Sequence, residues 1–227
     1  MAAATGKARN GDLLRGAMLI APAFLFLVVF FVLPLFDNAM RSFAAPDGQG
    51  LTLARYVQFL TDRFYLGVVV ETIVLSGVVT LICILIGYPV AYFLVRKSGR
   101  WSGVIIFLLI APLLTSIIMR TFGWQVLFAR RGLVNNLLVQ DLGWLDRPLQ
   151  LMNTPAIAII GLVHVLVPFM VLSIATVLQT IDRRLEESAR ILGASPARTF
   201  REVTLPLSMD GVGTGSILVF MIANGSF

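Results

Sequence analysis

The segment Leu66–Val95 reads LGVVVETIVLSGVVTLICILIGYPVAYFLV and contains thirty residues with one charged side chain, Glu71. A helix rises about 1.5 Å per residue, so about 20 apolar residues cross the roughly 30 Å hydrocarbon core of a bilayer. The segment therefore predicts a transmembrane helix.

The same pattern recurs along the chain. Three further stretches are long and apolar enough to cross a bilayer: Ala17–Phe36, Gly103–Phe128 and Ala156–Leu178. A fifth, Val212–Phe227, has 16 residues, about 24 Å of helix, and runs into the end of the sequence. We therefore expect an all-α polytopic membrane helix bundle with five spans, the fifth incomplete and the chain truncated within it.

The composition supports the membrane class. Hydrophobic residues make up 58% of the chain and charged residues 13%, against about a quarter charged in soluble domains. The single cysteine, Cys83, excludes an intrachain disulfide and a cysteine-based metal site. The net charge of +6 comes with basic residues in short loops between apolar stretches, which indicates membrane topology and contact with lipid rather than nucleic-acid binding.

Lysine and arginine in short loops stay on the cytoplasmic side of a membrane. The first apolar stretch is longer than a signal-peptide core and lacks a clear cleavage site, so we expect an uncleaved span with a cytoplasmic N-terminus. The cytoplasmic side then carries Lys7, Arg9, Arg15, Arg96, Lys97, Arg100, Arg183, Arg184, Arg190, Arg198 and Arg201. The opposite side carries Arg41, Arg55, Arg63, Arg130, Arg131 and Arg147, together with Asp37, Asp47, Asp62, Asp141 and Asp146. This asymmetry predicts a multi-pass protein of the bacterial inner membrane.

Each long span also contains an interior proline, which removes a backbone hydrogen bond and bends a helix. These prolines are Pro22, Pro89, Pro112 and Pro168. Bent helices are able to line a cavity, although proline is common in membrane helices in general.

The long cytoplasmic loop, residues 181–210, reads IDRRLEESARILGASPARTFREVTLPLSMD. Its spacing predicts a first short helix from Arg183 to Leu192, with Leu185, Ala189 and Leu192 on one face. Gly193 is suited to the left-handed conformation that ends such a helix. The loop is therefore more ordered than a tether.

A second short helix should begin directly after this turn. Ser195 is a good N-cap and Pro196 a good first helical residue. Phe200 and Val203 then share a side, and we expect Pro206 to end the helix. Two short helices joined by a sharp turn have a shape suited to docking into another protein.

This loop resembles the EAA loop of permease subunits of bacterial ABC importers, whose pattern is EAA, three residues, Gly, nine residues, Ile, any residue, Leu-Pro. Glu187, Ala189, Gly193, Leu205 and Pro206 match it in register, while Ser188 and Val203 replace an alanine and the isoleucine. The resemblance implies a coupling region that inserts into a cleft of an ATPase subunit. The implied coupling residues are Glu187, Ala189, Arg190, Gly193, Ala194, Ser195, Pro196, Leu205 and Pro206. An amphipathic helix resting on lipid headgroups is the alternative interpretation.

The likeness extends beyond the loop. Three further runs are similar in sequence to the spermidine/putrescine type of permease: IGYPVAYFL (86–94), MRTFGWQVLFARRGLVNNLL (119–138) and GLVHVLVPFMVL (161–172). Permeases for ferric iron, thiamine or phosphonates have similar sequences in these runs. The resemblance implies the helix bundle of a type I importer permease, which usually has six spans. It divides the chain into residues 1–65, with the first span and an outer loop, and a permease core at 66–227.

The resemblance also implies partners. ATPase subunits would bind the ATP, a second permease subunit would complete the solute path, and a periplasmic binding protein would deliver a polyamine or a similar small solute. No cofactor is expected in this chain itself.

Ionisable side chains within hydrocarbon are costly, so each is a functional candidate. Glu71 and Arg120 are predicted at similar depth and could form an ion pair or contact the solute. His164 lies within the fourth span, where a hydrogen bond to a neighbouring helix is favoured over a proton relay. Trp124, near the outer end of the third span, is either an interface anchor or the border of a cation pathway.

No pattern for nucleotide binding or catalysis occurs in the sequence. There is no P-loop, HExxH or GxSxG, and no Cys/His metal spacing, so we expect neither an enzyme nor a metal site. A secondary transporter or channel that works without ATPase subunits is the alternative function. The cluster Gly211, Gly213 and Gly215 favours close helix packing.

Overall fold

A computed structural model describes residues 18–44, 50, 52–152 and 154–226, and the regular elements within them are helices. The all-α class is therefore confirmed. Predictions that fall on Lys7, Arg9, Arg15, Ala17, Asp47 and Phe227 lie outside the described residues.

We number the helices in chain order. They are α1 (Met18–Phe43), α2 (Ala54–Thr61), α3 (Arg63–Arg96), α4 (Ser102–Leu114), α5 (Ile117–Phe128), α6 (Leu133–Asn136), α7 (Pro155–Thr180), α8 (Arg183–Ile191) and α9 (Pro196–Asn224). A π-helical turn lies within α1 at Val28–Val32, another follows α6 at Leu137–Asp141, and a third lies within α9 at Phe200–Thr204.

The chain forms two compact units, Met1–Val68 and Val69–Phe227. In the first unit, α2 folds back on the end of α1. The Tyr56 hydroxyl lies 2.6 Å from the Ser42 hydroxyl, and the Tyr56 ring centroid lies 5.2 Å from that of Phe43.

The core of the second unit is built where α3 and α9 approach α7 around Met170, which has no exposed surface. A methyl group added to Gly87 of α3 would lie 2.9 Å from Met170 Cγ, and one added to Gly215 of α9 would lie 2.8 Å from Met170 Sδ. The absence of a side chain at both glycines therefore brings two helices against one methionine. Interior packing of this kind holds membrane helices together, because lipid tails are as apolar as leucine.

The third predicted span is not one straight helix. Helices α4 and α5 are separated by Thr115 and Ser116 in extended conformations, and the two halves, Gly99–Leu114 and Ile117–Asp141, are bent by 97°. The sequence predicted a bend at Pro112 of this span, and the structure places a complete break three residues further on. The apolar composition predicted the length of the segment, but it could not predict that the backbone of two residues leaves the helical conformation.

Four of the described helices are long and apolar enough to cross a membrane, and the bent pair adds a fifth crossing if it counts as one span. Arg96 at the end of α3 and Glu186, just beyond the end of α7, form an ion pair of 2.9 Å, so both ends lie on the same side of the membrane. Helix α7 must then begin on the other side, and the chain between α3 and α7 has to cross once. The bent pair supplies that crossing, which gives the five predicted spans.

Helix α9 corrects a second prediction. Pro206 does not end the second loop helix, because α9 continues through it from Pro196 to Asn224. The π-helical turn Phe200–Thr204 lies directly before Pro206, and the changed hydrogen-bond register there accommodates a residue that has no N–H and that crowds the preceding turn. The loop helix and the last apolar stretch are therefore one continuous helix.

The helix contact at Gly211 provides a test of this packing. A side chain at Gly211 would lie 3.1 Å from the backbone Cα of Ile174, whereas nothing lies within 4 Å at Gly213. Gly211→Leu should therefore force α9 away from α7 and destabilise the protein by about 1–3 kcal/mol, measured as a lower melting temperature of the detergent-solubilised chain. The matched control Gly213→Leu should leave it unchanged or raise it, and equal effects of the two substitutions would contradict the observed packing.

Candidate functional site

The loop between α7 and α9 forms the two-helix turn that its sequence predicts. The Asp182 carboxylate accepts a hydrogen bond of 2.9 Å from the Arg184 backbone N–H and caps α8. Gly193 ends the helix with φ +89°, and the N–H groups of Gly193 and Ala194 donate to the carbonyls of Arg190 and Ala189, each at 3.0 Å. This is the double hydrogen bond of a Schellman turn, which requires a left-handed residue at the position of Gly193.

The second half of the turn is equally specific. The Ser195 hydroxyl accepts from the Arg198 N–H at 3.3 Å, and Pro196 occupies the first turn of α9. Phe200 then inserts between two tyrosines of α3, with ring centroids 5.6 Å from Tyr88 and 5.5 Å from Tyr92, both edge-to-face. The turn is therefore fixed in shape and held against the end of α3.

The inner face of α8 is held by an ion pair that sequence analysis did not single out. Glu186 is buried, with Oε1 2.9 Å from an Arg96 terminal nitrogen and 3.0 Å from its Nε. The hydroxyl of Thr204 donates to the same carboxylate oxygen at 3.1 Å, and Arg96 also donates to the Ile181 carbonyl at 3.2 Å. The signal that could have pointed to it was the opposite charge of Arg96 and Glu186 at two span ends predicted on one membrane face.

The outer face of α8 is open. Glu187 and Arg190 are exposed, and so is the apolar pair at the end of the helix, with Ile191 84% and Leu192 88% accessible. Two nearly bare aliphatic side chains on a rigid turn beside charged residues are typical of a surface that binds another protein.

A second feature is an apolar cavity of about 520 Å³ between α3, α4, α5 and α7. The predicted path residues Trp124 and His164 both line it, with ring centroids 5.4 Å apart and edge-to-face. Pro112 and Pro168 also line it. Two of the four interior prolines therefore border a cavity.

The other two predicted path residues are placed differently. Arg120 donates to the carbonyl of Pro112 and, at 2.9 Å, to that of Thr115. These carbonyls belong to the bend between α4 and α5, where helical acceptors lose their partners. Glu71 is exposed and makes no ion pair with Arg120 in the described part of the chain. The predicted Glu71–Arg120 pair is therefore wrong, because the guanidinium is occupied by the backbone of its own broken span.

Comparison with known proteins identifies the family. The model of the family described as binding-protein-dependent transport system inner membrane component matches residues 84–227, which is more than half of the chain and includes the loop and all residues described as lining the cavity except Ile82. The chain belongs to this family. It is a permease subunit of an ATP-driven importer, and its predicted location as a multi-pass protein of the inner membrane is confirmed.

A curated relative agrees with this assignment. The chain is 35% identical over 213 residues to the spermidine/putrescine transport system permease protein PotB of Haemophilus influenzae. The alignment covers 92% of this chain and 74% of the relative. The chain thus spans about three quarters of that relative's length.

Solved structures agree on the fold. A bacterial ABC transporter involved in the import of the acidic polysaccharide alginate superposes with a TM-score of 0.76 at 19% identity, over 95% of this chain and 74% of that one. The bacterial alginate ABC transporter in complex with an alginate pentasaccharide-bound periplasmic protein gives a TM-score of 0.73 at 20% identity, over 91% and 70%. The importer permease fold is therefore shared.

The role of Arg120 is testable by comparing two charges in the spans. Arg120→Met removes both hydrogen bonds to the bend and should lower the free energy of unfolding by about 1–3 kcal/mol, the usual range for bonds to a charged group. Glu71→Gln should have little effect, since it removes no ion pair with Arg120. Thermal unfolding of the single and double variants in detergent checks this prediction. A coupling energy between the two substitutions would be evidence for a Glu71–Arg120 ion pair and would contradict the structure.

Proposed function

We propose that this chain forms part of the solute path of a polyamine importer and couples that path to ATP hydrolysis through the loop that contains Gly193. The observation that carries the proposal is the fixed two-helix turn, tied to α3 on one face and exposed on the other. The expected solute is spermidine, putrescine or a similar small cation.

The exposed face is the part proposed to enter the ATPase subunit. Ile191 and Leu192 supply apolar contact, while Glu187 and Arg190 supply charges that select the partner. Of the residues that the family pattern implies, Ala194, Ser195 and Pro196 form the turn itself, and Ala189 carries one of the carbonyls that close it. Leu205 and Pro206 lie nine and ten residues after Pro196, between two and three turns further along α9, and continue the loop into the last span.

Three partner proteins are proposed to supply ATP hydrolysis, the rest of the solute path and delivery of the solute. We propose that two ATPase subunits bind and hydrolyse the ATP, and that a second permease subunit supplies the remaining wall of the path. A periplasmic binding protein is proposed to deliver the solute. Support comes from the family description, which names binding-protein dependence, and from the related complex with a periplasmic protein.

The polyamine assignment combines the relative's printed substrate with the cavity. Trp124 and His164 line an apolar space, and the face of an aromatic ring attracts an alkylammonium group by a cation–π interaction. The methylene segments of a polyamine suit the aliphatic part of the wall. In this proposal Arg120 shapes the wall by holding the bend, and Glu71 lies outside the residues that line the cavity.

The coupling role predicts a defined defect in the loop. Gly193→Val places a β-branched residue at φ +89°, and Glu187→Lys reverses an exposed charge, so either variant should weaken ATPase binding. We expect about a tenfold or larger loss of co-purified ATPase, since a few kcal/mol of interface free energy are involved. Glu202→Lys, an exposed charge reversal within the first part of α9, is the matched control and should retain the ATPase. Wild-type ATPase recovery with both loop variants would count against the coupling role.

The substrate class has its own test. In proteoliposomes that contain the complete transporter, radiolabelled spermidine should accumulate only with ATP and binding protein. Trp124→Ala should reduce the uptake rate by about tenfold, because loss of a desolvated cation–π contact weakens binding of the solute by about 1–2 kcal/mol. Uptake that survives ATP depletion and collapses with an ion gradient would support a secondary transporter instead.

A further inference from the structure

We propose that the Arg96–Glu186 ion pair is the joint that transmits movement of the coupling loop to the cavity wall, with Glu186 acting as a positioning residue. The inference rests on the proposed coupling function but concerns residues that the family pattern of the loop does not include. It assigns neighbouring glutamates opposite tasks, since Glu187 faces the partner and Glu186 faces the chain's own spans.

The Arg96–Glu186 ion pair is shielded from water. Its side chains are 7% and 10% accessible, and the carboxylate oxygen that Arg96 contacts also accepts from Thr204, which is itself 1% accessible. A buried ion pair adds little net stability compared with an apolar contact of the same shape, but it defines one geometry and tolerates no slippage. Such an interaction is better suited to transmitting a displacement between helices than to stabilising the fold.

The joint connects three elements that are distant in sequence. Arg96 ends α3, Glu186 lies in α8, and Thr204 lies in the π-helical turn of α9. A second bond runs parallel to it, from the Arg183 guanidinium to the Val95 carbonyl at 2.8 Å. Displacement of α8 by a partner is therefore passed to the ends of α3 and α9 together.

Helix α3 carries the displacement to the cavity. Ile86 and Ile82 of α3 line the cavity, ten and fourteen residues before Arg96, which is about three to four helical turns away. Pro89 lies between Ile86 and Arg96, where a proline weakens the helix by removing a backbone hydrogen bond. It is braced on both sides, because Phe200 packs against Tyr88 and Tyr92 and the Tyr88 hydroxyl lies 2.7 Å from the Ser208 hydroxyl. The segment from Arg96 to Ile86 therefore moves as one body.

The same loop region offers a matched control. Arg198 and Glu202 form an ion pair of 3.0 Å, but both side chains are at least half exposed and both lie in α9, four residues apart. This pair joins no separate elements. Its loss should leave transmission intact while changing the same kinds of charge.

The test measures how accessible a cysteine in the cavity wall is to a thiol reagent. Ile86→Cys in a Cys83→Ala background is labelled with a maleimide in the complete transporter, without nucleotide and after trapping with ATP and vanadate. With the native pair we expect the labelling rate to change by about fivefold or more between the two states. In Glu186→Gln and Arg96→Met the ratio should fall close to one, while Glu202→Gln should keep the native ratio.

Rescue separates a joint from a structural support. The single substitutions Arg96→Glu and Glu186→Arg should each lose the labelling change, and the charge-swapped double substitution Arg96→Glu with Glu186→Arg should regain it, because it restores an ion pair at the same place without adding a second thiol. Ratios are compared at equal amounts of assembled complex, so a folding defect alone does not alter them. A native ratio in Glu186→Gln, a ratio of one with the native pair, or no recovery in the charge-swapped double variant would each overturn the proposal.

The outcome is distinguishable from failure of the proposed function. If the native chain fails to co-purify with an ATPase, the coupling function fails and the joint fails with it. If the ATPase binds and the native labelling change occurs but spermidine is not taken up, only the polyamine assignment is wrong.

Discussion

Backbone polar groups inside a bilayer have no water to bind, and two departures from a regular helix in the described spans are compensated within the protein for this reason. Where the third span breaks at Thr115, the guanidinium of Arg120 binds carbonyls that the helix has released. Where α9 meets Pro206, a π-helical turn shifts the hydrogen-bond register. These two repairs permit a bend beside the cavity and a continuous helix beneath the loop, which are the two features on which the proposed transport function depends.

The packing around Met170 determines which helix ends meet. Because Gly87 and Gly215 let α3 and α9 approach α7 closely, the cytoplasmic ends of all three helices come together below the contact. Arg96 and Thr204 then both lie within hydrogen-bonding distance of the Glu186 carboxylate. A glycine contact in the middle of the membrane thus positions a polar joint at its surface, and the loop does not need an apolar core of its own.

Much of this could be read from the sequence, and what could not has a physical explanation. Long apolar stretches and the Lys/Arg asymmetry predicted the spans and the side on which the loop lies, and Gly193 and Ser195 predicted the turn, because each signal depends on residues that are adjacent in sequence. The bend at Thr115 and the role of Arg120 were missed, since proline and polar residues occur in straight and broken spans alike. The Arg96–Glu186 pair joins residues 90 apart, and only the helix packing brings them together.

The two adjacent glutamates show why a family pattern and a structure give different information. Successive residues on a helix point about 100° apart, so Glu186 and Glu187 cannot share a face of α8. One carboxylate is buried against Arg96 and the other is exposed beside Arg190. In the proposed coupling, contact of a partner with the outer face of this helix displaces its inner face, because the helix is held by Glu186 and exposes Glu187. An amphipathic helix resting on lipid would need no buried charge, so the ion pair favours a helix that is held against the chain's own spans over one that lies on the membrane surface.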